Sequence, residues 1–280
     1  MLIADKLVFI EFRNTGASHV EKLLMKIVGG ELDNAVRVPT EEMLASGRKM
    51  FGSIRDPWGW YLSLWTFGCA QQGELYQRMV NEKSWQKVLE KIEATAKART
   101  KEAPADEVRR VALPEQLGAD RAKNFWYADD DNVEAFREWL RVVCSLQTRR
   151  VLETGFAQSP IGKVGGLMTY RYFHLYVRGA AHMPVTIGTQ EGLRAFETQH
   201  LVLDHIIRQD SLTEDLVQAL EHSGVALSDA QRKLIYDAKP SGKAARSAGI
   251  ERFYDAASAD LVARREKFII ERFGYQRPHV

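Results

Sequence analysis

The sequence predicts an α/β fold of three layers, a parallel sheet flanked by helices and carrying a helical insertion. Three observations predict it. Two short apolar runs, Leu7-Val8-Phe9-Ile10 and Met50-Phe51-Gly52-Ser53-Ile54, are each followed by helical spacing, the pattern of strands joined by crossover helices. The first run reaches its helix through a loop of small and polar residues, a P-loop-like strand-loop-helix. From about Trp58 to Arg150 the chain turns to long helical stretches.

Taken in order, strand 7–10 enters the loop Arg13-Asn14-Thr15-Gly16-Ala17-Ser18-His19, and Val20, Leu23, Leu24 and Ile27 then recur at helical spacing. Gly29-Gly30 ends that element, and Ala35-Val36-Arg37-Val38 reads as a second strand. Thr40 is placed to N-cap a short helix from Glu41 to Ser46, closed by Gly47. The strand 50–54 runs into Arg55-Asp56-Pro57, with Pro57 suited to a helix's first turn. Residues 74–100 carry few apolar anchors and read as a solvated helix. Residues 99–115, with Pro104 and Pro114, read as an exposed loop. Asp131 precedes a helix whose stripe is Val133, Phe136, Leu140 and Val143. Residues 159–176 read as a loop leading into an aromatic-rich helix, and 202–208 as a strand. Ser211-Leu212-Thr213-Glu214 has the form of a capping box opening a helix that Gly224 ends. Residues 239–249 form a basic, Gly/Ser/Ala-rich loop, and a last helix is expected from Ser258 to Arg272, ending at Gly274.

At 280 residues the chain is long enough for one substantial core, and a single domain over 1–280 is expected, with 66–200 as a variable, mostly helical region. A net charge of +2 gives no case for nucleic acid or a membrane surface as partner. Cys69 and Cys144 lie far apart without ligand spacing, which fits a reducing compartment and predicts no metal site. With no leader-like segment and no run near the roughly 18 apolar residues of a membrane span, a cytoplasmic protein is the expectation.

Two segments carry chemistry. The Thr15-Gly16-Ala17-Ser18 turn offers two hydroxyls, no bulky side chain and a run of backbone N–H groups at a helix start, the donor set an anion takes. It lacks the G-x-x-x-x-G-K-[ST] of a Walker A loop, which disfavours a nucleotide kinase. In the second segment, Arg55 stands at the C-terminal end of a strand, where parallel α/β sheets bind ligands, and Ser63 follows two helical turns later. The other reading of each is structural: a tight turn, and an Arg55–Asp56 surface pair beside the core aromatics Trp58, Trp60, Tyr61 and Trp65.

Together the segments resemble the sulfotransferases that use 3′-phosphoadenosine 5′-phosphosulfate (PAPS). That family carries a strand ending in a Pro-Lys-Thr-Gly-Gly-Thr-Ser-type loop, and a second strand ending in Arg-Asp-Pro with a Ser eight residues after the Arg. Here the counterparts are Phe12-Arg13-Asn14-Thr15-Gly16-Ala17-Ser18, and Arg55-Asp56-Pro57 with Ser63. Phe253-Tyr254-Asp255 and Glu271-Arg272-Phe273-Gly274-Tyr275 are similar to the family's C-terminal helix and its Phe-Gly-Tyr ending. The resemblance covers both ends of the chain but not residues 66–200, where such enzymes hold the acceptor.

The resemblance implies an enzyme moving a sulfuryl group from PAPS to a hydroxyl or amine of a small-molecule or glycan acceptor, with 3′,5′-adenosine bisphosphate as product and no metal. It implies that Asn14, Thr15, Gly16, Ala17 and Ser18 bind the 5′-phosphosulfate, and that Arg55 and Ser63 bind the 3′-phosphate. Lys243 and Arg246, with Lys239 and Ser241, would close over that phosphate and the adenine. The family's loop Lys aligns with Asn14, its second loop Gly with Ala17, and an Arg five residues after the motif's Arg with Trp60. Arg13 is the candidate to take the lysine's role, since its guanidinium is always charged and binds two oxygens at once. His19, directly after the loop, is the candidate base, with His174, His182, His200 and His205 in the variable region and Glu11 as a partner for Arg13. The alternative is a degenerate relative that binds a nucleotide or sulfated ligand without turnover.

Overall fold

The structure is a computed structural model describing residues 1–90, 117–184, 187–238 and 249–280. It is an α/β fold on a five-stranded mixed sheet of order β3-β1-β2-β4-β5. The strands are β1 Leu2–Ile3, β2 Leu7–Ile10, β3 Glu31–Leu32, β4 Lys49–Ile54 and β5 His205–Arg208. Strands β2, β4 and β5 run parallel, with Phe9 beside Phe51 and Phe51 beside His205.

The expectation of an all-parallel sheet is corrected at one edge, where β1 runs antiparallel to both β2 and β3. The connection from β1 to β2 is a tight turn, with Ala4 N–H donating to Leu7 O across 2.9 Å, and a parallel pair needs a crossover far longer than that. β3 reaches β1 through Gly30, whose φ is 108° and where a Cβ would stand 2.5 Å from Ile3 O. The expected strand at 35–38 is absent, because the Asp33 carboxylate accepts from Ala35 N–H and Val36 N–H at 2.8 and 3.0 Å and bends the chain there. The late strand starts at His205 rather than 202.

Alternation along β2 makes the three layers. Leu7 and Phe9 face a cluster holding Val20, Leu23 and Leu24 of helix α1 (Ala17–Ile27), while Val8 and Ile10 face the larger cluster on the opposite side. Helix α2 (Glu41–Ala45) has the expected Thr40 cap, its hydroxyl accepting from Met43 N–H. Helix α3 (Pro57–Cys69) is apolar nearly all round, and Trp58, Trp60, Tyr61 and Trp65 are fully buried in the larger cluster. The expected helix 74–100 breaks after α4 (Glu74–Met79) and resumes over 82–90; its remainder and the 99–115 loop lie outside the described residues. Helix α5 (Val133–Val143) is capped by Asn132, not Asp131. The aromatic helix α6 (Leu167–Tyr176) forms as expected, followed by α7 (Gln190–His200).

Helix α8 opens at Leu212 and runs to His222 without the capping box, since the Ser211 hydroxyl donates to Asp215 instead of capping. Helix α9 (Asp229–Asp237) follows. The expected C-terminal helix is two helices, α10 (Ala256–Arg265) and α11 (Lys267–Phe273), meeting at the fully buried Glu266. Its carboxylate accepts from Tyr61 OH at 2.5 Å, Met168 N–H at 3.1 Å, and the N–H and hydroxyl of Thr169 at 2.9 and 2.6 Å. Glu266 thereby caps α6 from a distant part of the chain. Among the described residues, no helix is long and apolar enough to cross a membrane.

Candidate anion-binding site

The loop after β2 owes its shape to two left-handed residues, Asn14 at φ 68° and Gly16 at φ 86°. Asparagine tolerates that region better than most non-glycine residues. The turn is tied down from three sides. The buried Thr15 hydroxyl donates to Phe12 O at 2.5 Å and lies 2.7 Å from the Ser53 hydroxyl on β4. Trp60 Nε1 donates to Arg13 O at 3.0 Å, and the Asn14 amide donates to Ser63 Oγ at 3.3 Å. The Thr15 side chain therefore serves the loop's own shape and leaves only its backbone to a ligand. The N–H groups of Thr15, Gly16, Ala17 and Ser18 have no acceptor among the described residues, as expected of the first turn of α1.

Arg55 directly follows β4 and is buried, with Nε 3.7 Å from Asp56 Oδ2. Asp56 also caps α3, accepting from Gly59 N–H at 2.6 Å, and Pro57 takes the first helical position. The guanidinium lies against Gly59, where a Cβ would stand 2.8 Å from Arg55 Nε and 2.5 Å from Asp56 Oδ2. Burial lowers the Arg55 pKa from its ordinary value, and the charge of Asp56 opposes that shift. A buried guanidinium at a helix start is a strong attractor for an anion, since both the ion and the free N–H groups carry positive charge.

These pieces line one cleft of about 1160 Å³: Arg13, Asn14, the turn from Gly16 to His19, Arg55 and Ser63, with Thr213 and Glu214 of α8 opposite. Lys243 and Arg246, with Lys239 and Ser241, lie outside the described residues; Ala238 and Ile250, on either side of them in sequence, line the cleft. A second cavity of about 320 Å³ adjoins it, and Glu11, Arg13 and Asn14 line both.

Arg13 is half exposed and pairs with Glu11 at 3.8 Å, the partner expected from sequence. His19 is half-buried on the cleft wall, with its pKa lowered first by burial and then by Lys22, so it is neutral at pH 7. The other candidate histidines lie apart from the cleft. His174 lines the second cavity, His200 is hydrogen-bonded to Phe196 O, His205 stacks on His222, and His182 is exposed.

Sequence reading misses the two clamps on the loop. Trp60, a core aromatic, holds the Arg13 carbonyl, and Asn14 joins the loop to Ser63. Asp56 is readable, because Asp-Pro at a helix start is the signature of a cap followed by a first-turn proline. Comparison with protein-family models, curated proteins and solved structures finds no match to this chain.

Proposed function

We propose that this chain is a PAPS-dependent sulfotransferase built on a P-loop-like strand-loop-helix. The observation that carries the reading is the convergence of two segments, joined by the Asn14–Ser63 hydrogen bond between residues 49 apart in sequence, on one cleft with Arg55 in its wall. The cleft volume of about 1160 Å³ suits a nucleotide bearing two phosphate groups. A helix N-terminus supplies about 0.3–1 kcal/mol toward an anion, whereas micromolar affinity needs roughly 8 kcal/mol. Charge-assisted bonds from Arg55 and Arg13, at about 1.5–3 kcal/mol each, close much of that gap.

In this reading the N–H groups from Thr15 to Ser18 hold the 5′-phosphosulfate, and Arg55 with Ser63 holds the 3′-phosphate. PAPS supplies the sulfuryl group. The chain's own work is to align donor and acceptor in line and to neutralise charge developing on the leaving phosphate. Arg13 suits the neutralising role, since it stands at the junction of both cavities and is restrained by one long ion pair, from which it can swing. His19, neutral and on the cleft wall, is free to accept or donate a hydrogen bond to the phosphosulfate. The two cysteines are free thiols, in keeping with a cytoplasmic setting.

Thermal shift tests the nucleotide site. Stabilisation by 3′,5′-adenosine bisphosphate is expected, and stabilisation by ATP with magnesium alone would overturn the reading. One observation favours a second reading, a nucleotide binder without turnover: the residue at the loop-lysine position is Asn14, and its amide is engaged with Ser63. Sulfate transfer from PAPS to a mixed acceptor panel separates the two. Loss of a preorganised group at developing charge costs about 10²–10³ in rate, the deficit expected for Arg13→Ala.

A further inference from the structure

The second cavity says what kind of acceptor the site takes, given the sulfotransferase reading on which this rests. Six charged side chains line its volume of about 320 Å³, in three opposed pairs: Arg13 with Glu11 at 3.8 Å, Arg37 with Glu74 at 3.6 Å, and Arg171 with Glu153 at 3.2 Å. These side-chain charges sum to zero and the Met1 ammonium, on the same lining, is tied to Asp33 O, so the cavity is built for neither a polyanion nor a polycation. An apolar ring seated there would strip water from ion pairs without replacing its hydrogen bonds, which is costly. Hydroxyl groups replace those water bonds one for one. Val36, Leu64, Phe67, Leu75, Tyr76 and Leu175 add apolar surface to the same lining, matching the mixed faces of a sugar ring.

Among the described residues, Glu11 is the only carboxylate to line both cavities, and it follows directly from the last residue of β2. We infer that the second cavity takes a neutral polyhydroxylated acceptor of one or two sugar rings, and that Glu11 is the catalytic residue receiving its proton. The acceptor hydroxyl oxygen forms the new bond to sulfur from the second cavity. The bond between sulfur and the bridging oxygen breaks, and that oxygen leaves with its electron pair as the 5′-phosphate. The hydroxyl proton passes to the Glu11 carboxylate. Arg13 changes partner in the same step, turning from Glu11 toward the leaving phosphate and so freeing the carboxylate to accept the proton.

The test uses the full chain saturated with 3′,5′-adenosine bisphosphate, probed by saturation-transfer NMR with maltose, 4-nitrophenol and glucosamine in turn, and by sulfate transfer from PAPS to the same three. Binding and sulfation of maltose above the other two are expected. Preference for 4-nitrophenol or glucosamine, or binding of none while the bisphosphate binds, overturns the acceptor inference alone. Failure of the bisphosphate to bind overturns the underlying reading as well. Arg37→Ala with Glu74→Ala, an exposed pair on the cavity lining, is expected to raise KM for maltose by about tenfold with kcat unchanged. Glu11→Gln should lower kcat by about 10²–10⁴ while retaining bisphosphate binding. Formate should restore part of the rate to Glu11→Ala. Unchanged kcat in Glu11→Gln removes the assignment of the base.

Discussion

The Asn14 side-chain amide donates to both Ser63 Oγ and Ser63 O, at 3.3 and 3.4 Å, and so joins the loop after β2 to the second turn of α3. The same residue holds a left-handed backbone at φ 68°. Asn14 thus does two separable jobs, and substitutions divide them. Asn14→Gly keeps the backbone at ease and loses the bonds, for an expected loss of about 1 kcal/mol. Asn14→Ala also forces a Cβ into the left-handed region, which adds about 1–2 kcal/mol. Urea denaturation of the two variants should therefore rank Ala well below Gly; equal losses would mean that the backbone conformation carries no cost.

Gly59 is where Arg55 gains its position. A methyl there would stand within 3 Å of both the guanidinium and the Asp56 carboxylate, so one of them must move. Gly59→Ala lies inside a helix, where alanine is the better helix former by about 1 kcal/mol, so its penalty on folding is partly offset. The effect should instead appear in binding. Calorimetric titration with 3′,5′-adenosine bisphosphate is expected to show at least about a tenfold loss of affinity, the worth of one charge-assisted bond.

Whatever depends on local order is legible in the residues alone. The apolar run of β2, the cap at Thr40, and the Arg55-Asp56-Pro57 turn each declare themselves within a few residues, and each is found. The antiparallel strand β1 is hidden because two residues carry no periodicity. The break at Glu266 is hidden for another reason. Its partners Tyr61, Met168 and Thr169 come from distant parts of the chain, so a residue that looks like any surface glutamate in a helix becomes a buried cap. The loop clamps from Trp60 and Ser63 are unreadable on the same grounds.

At the proposed anion site, His19 is expected to link binding to pH. Burial and Lys22 hold its pKa below the ordinary 6.5, so the ligand-free protein keeps it neutral. A phosphate bound beside it favours the charged ring and raises that pKa, which makes binding take up a proton. Affinity for 3′,5′-adenosine bisphosphate should therefore rise as pH falls from about 7.5 toward about 5.5, and His19→Gln should flatten that dependence. Calorimetry at several pH values reads both. The same depressed pKa costs folding stability as the pH drops below 6.5, because the unfolded chain then binds the proton more readily.

Glu266 makes the opposite contribution to stability. Its pKa is raised above the ordinary 4.5 by complete burial, against the pull of donors from Thr169, Tyr61 and Met168. Between 4.5 and that raised value the native state holds a proton that the unfolded chain has released. The slope of unfolding free energy with pH is then negative. The carboxyl's contribution is thus fully present below pH 4.5 and is lost as pH rises through its folded pKa. Glu266→Gln removes the titration, so the difference in stability between wild type and variant should shrink steadily as pH rises from about 4.5. A glutamine keeps one acceptor oxygen but turns an amide donor toward either the two donors of Thr169 or those of Tyr61 and Met168, so the variant should be less stable at every pH, by about 1–3 kcal/mol at its largest. Denaturant unfolding of both proteins across that range checks the sign directly. A difference that grows with pH would mean that the native state binds the charged carboxylate more tightly than water does.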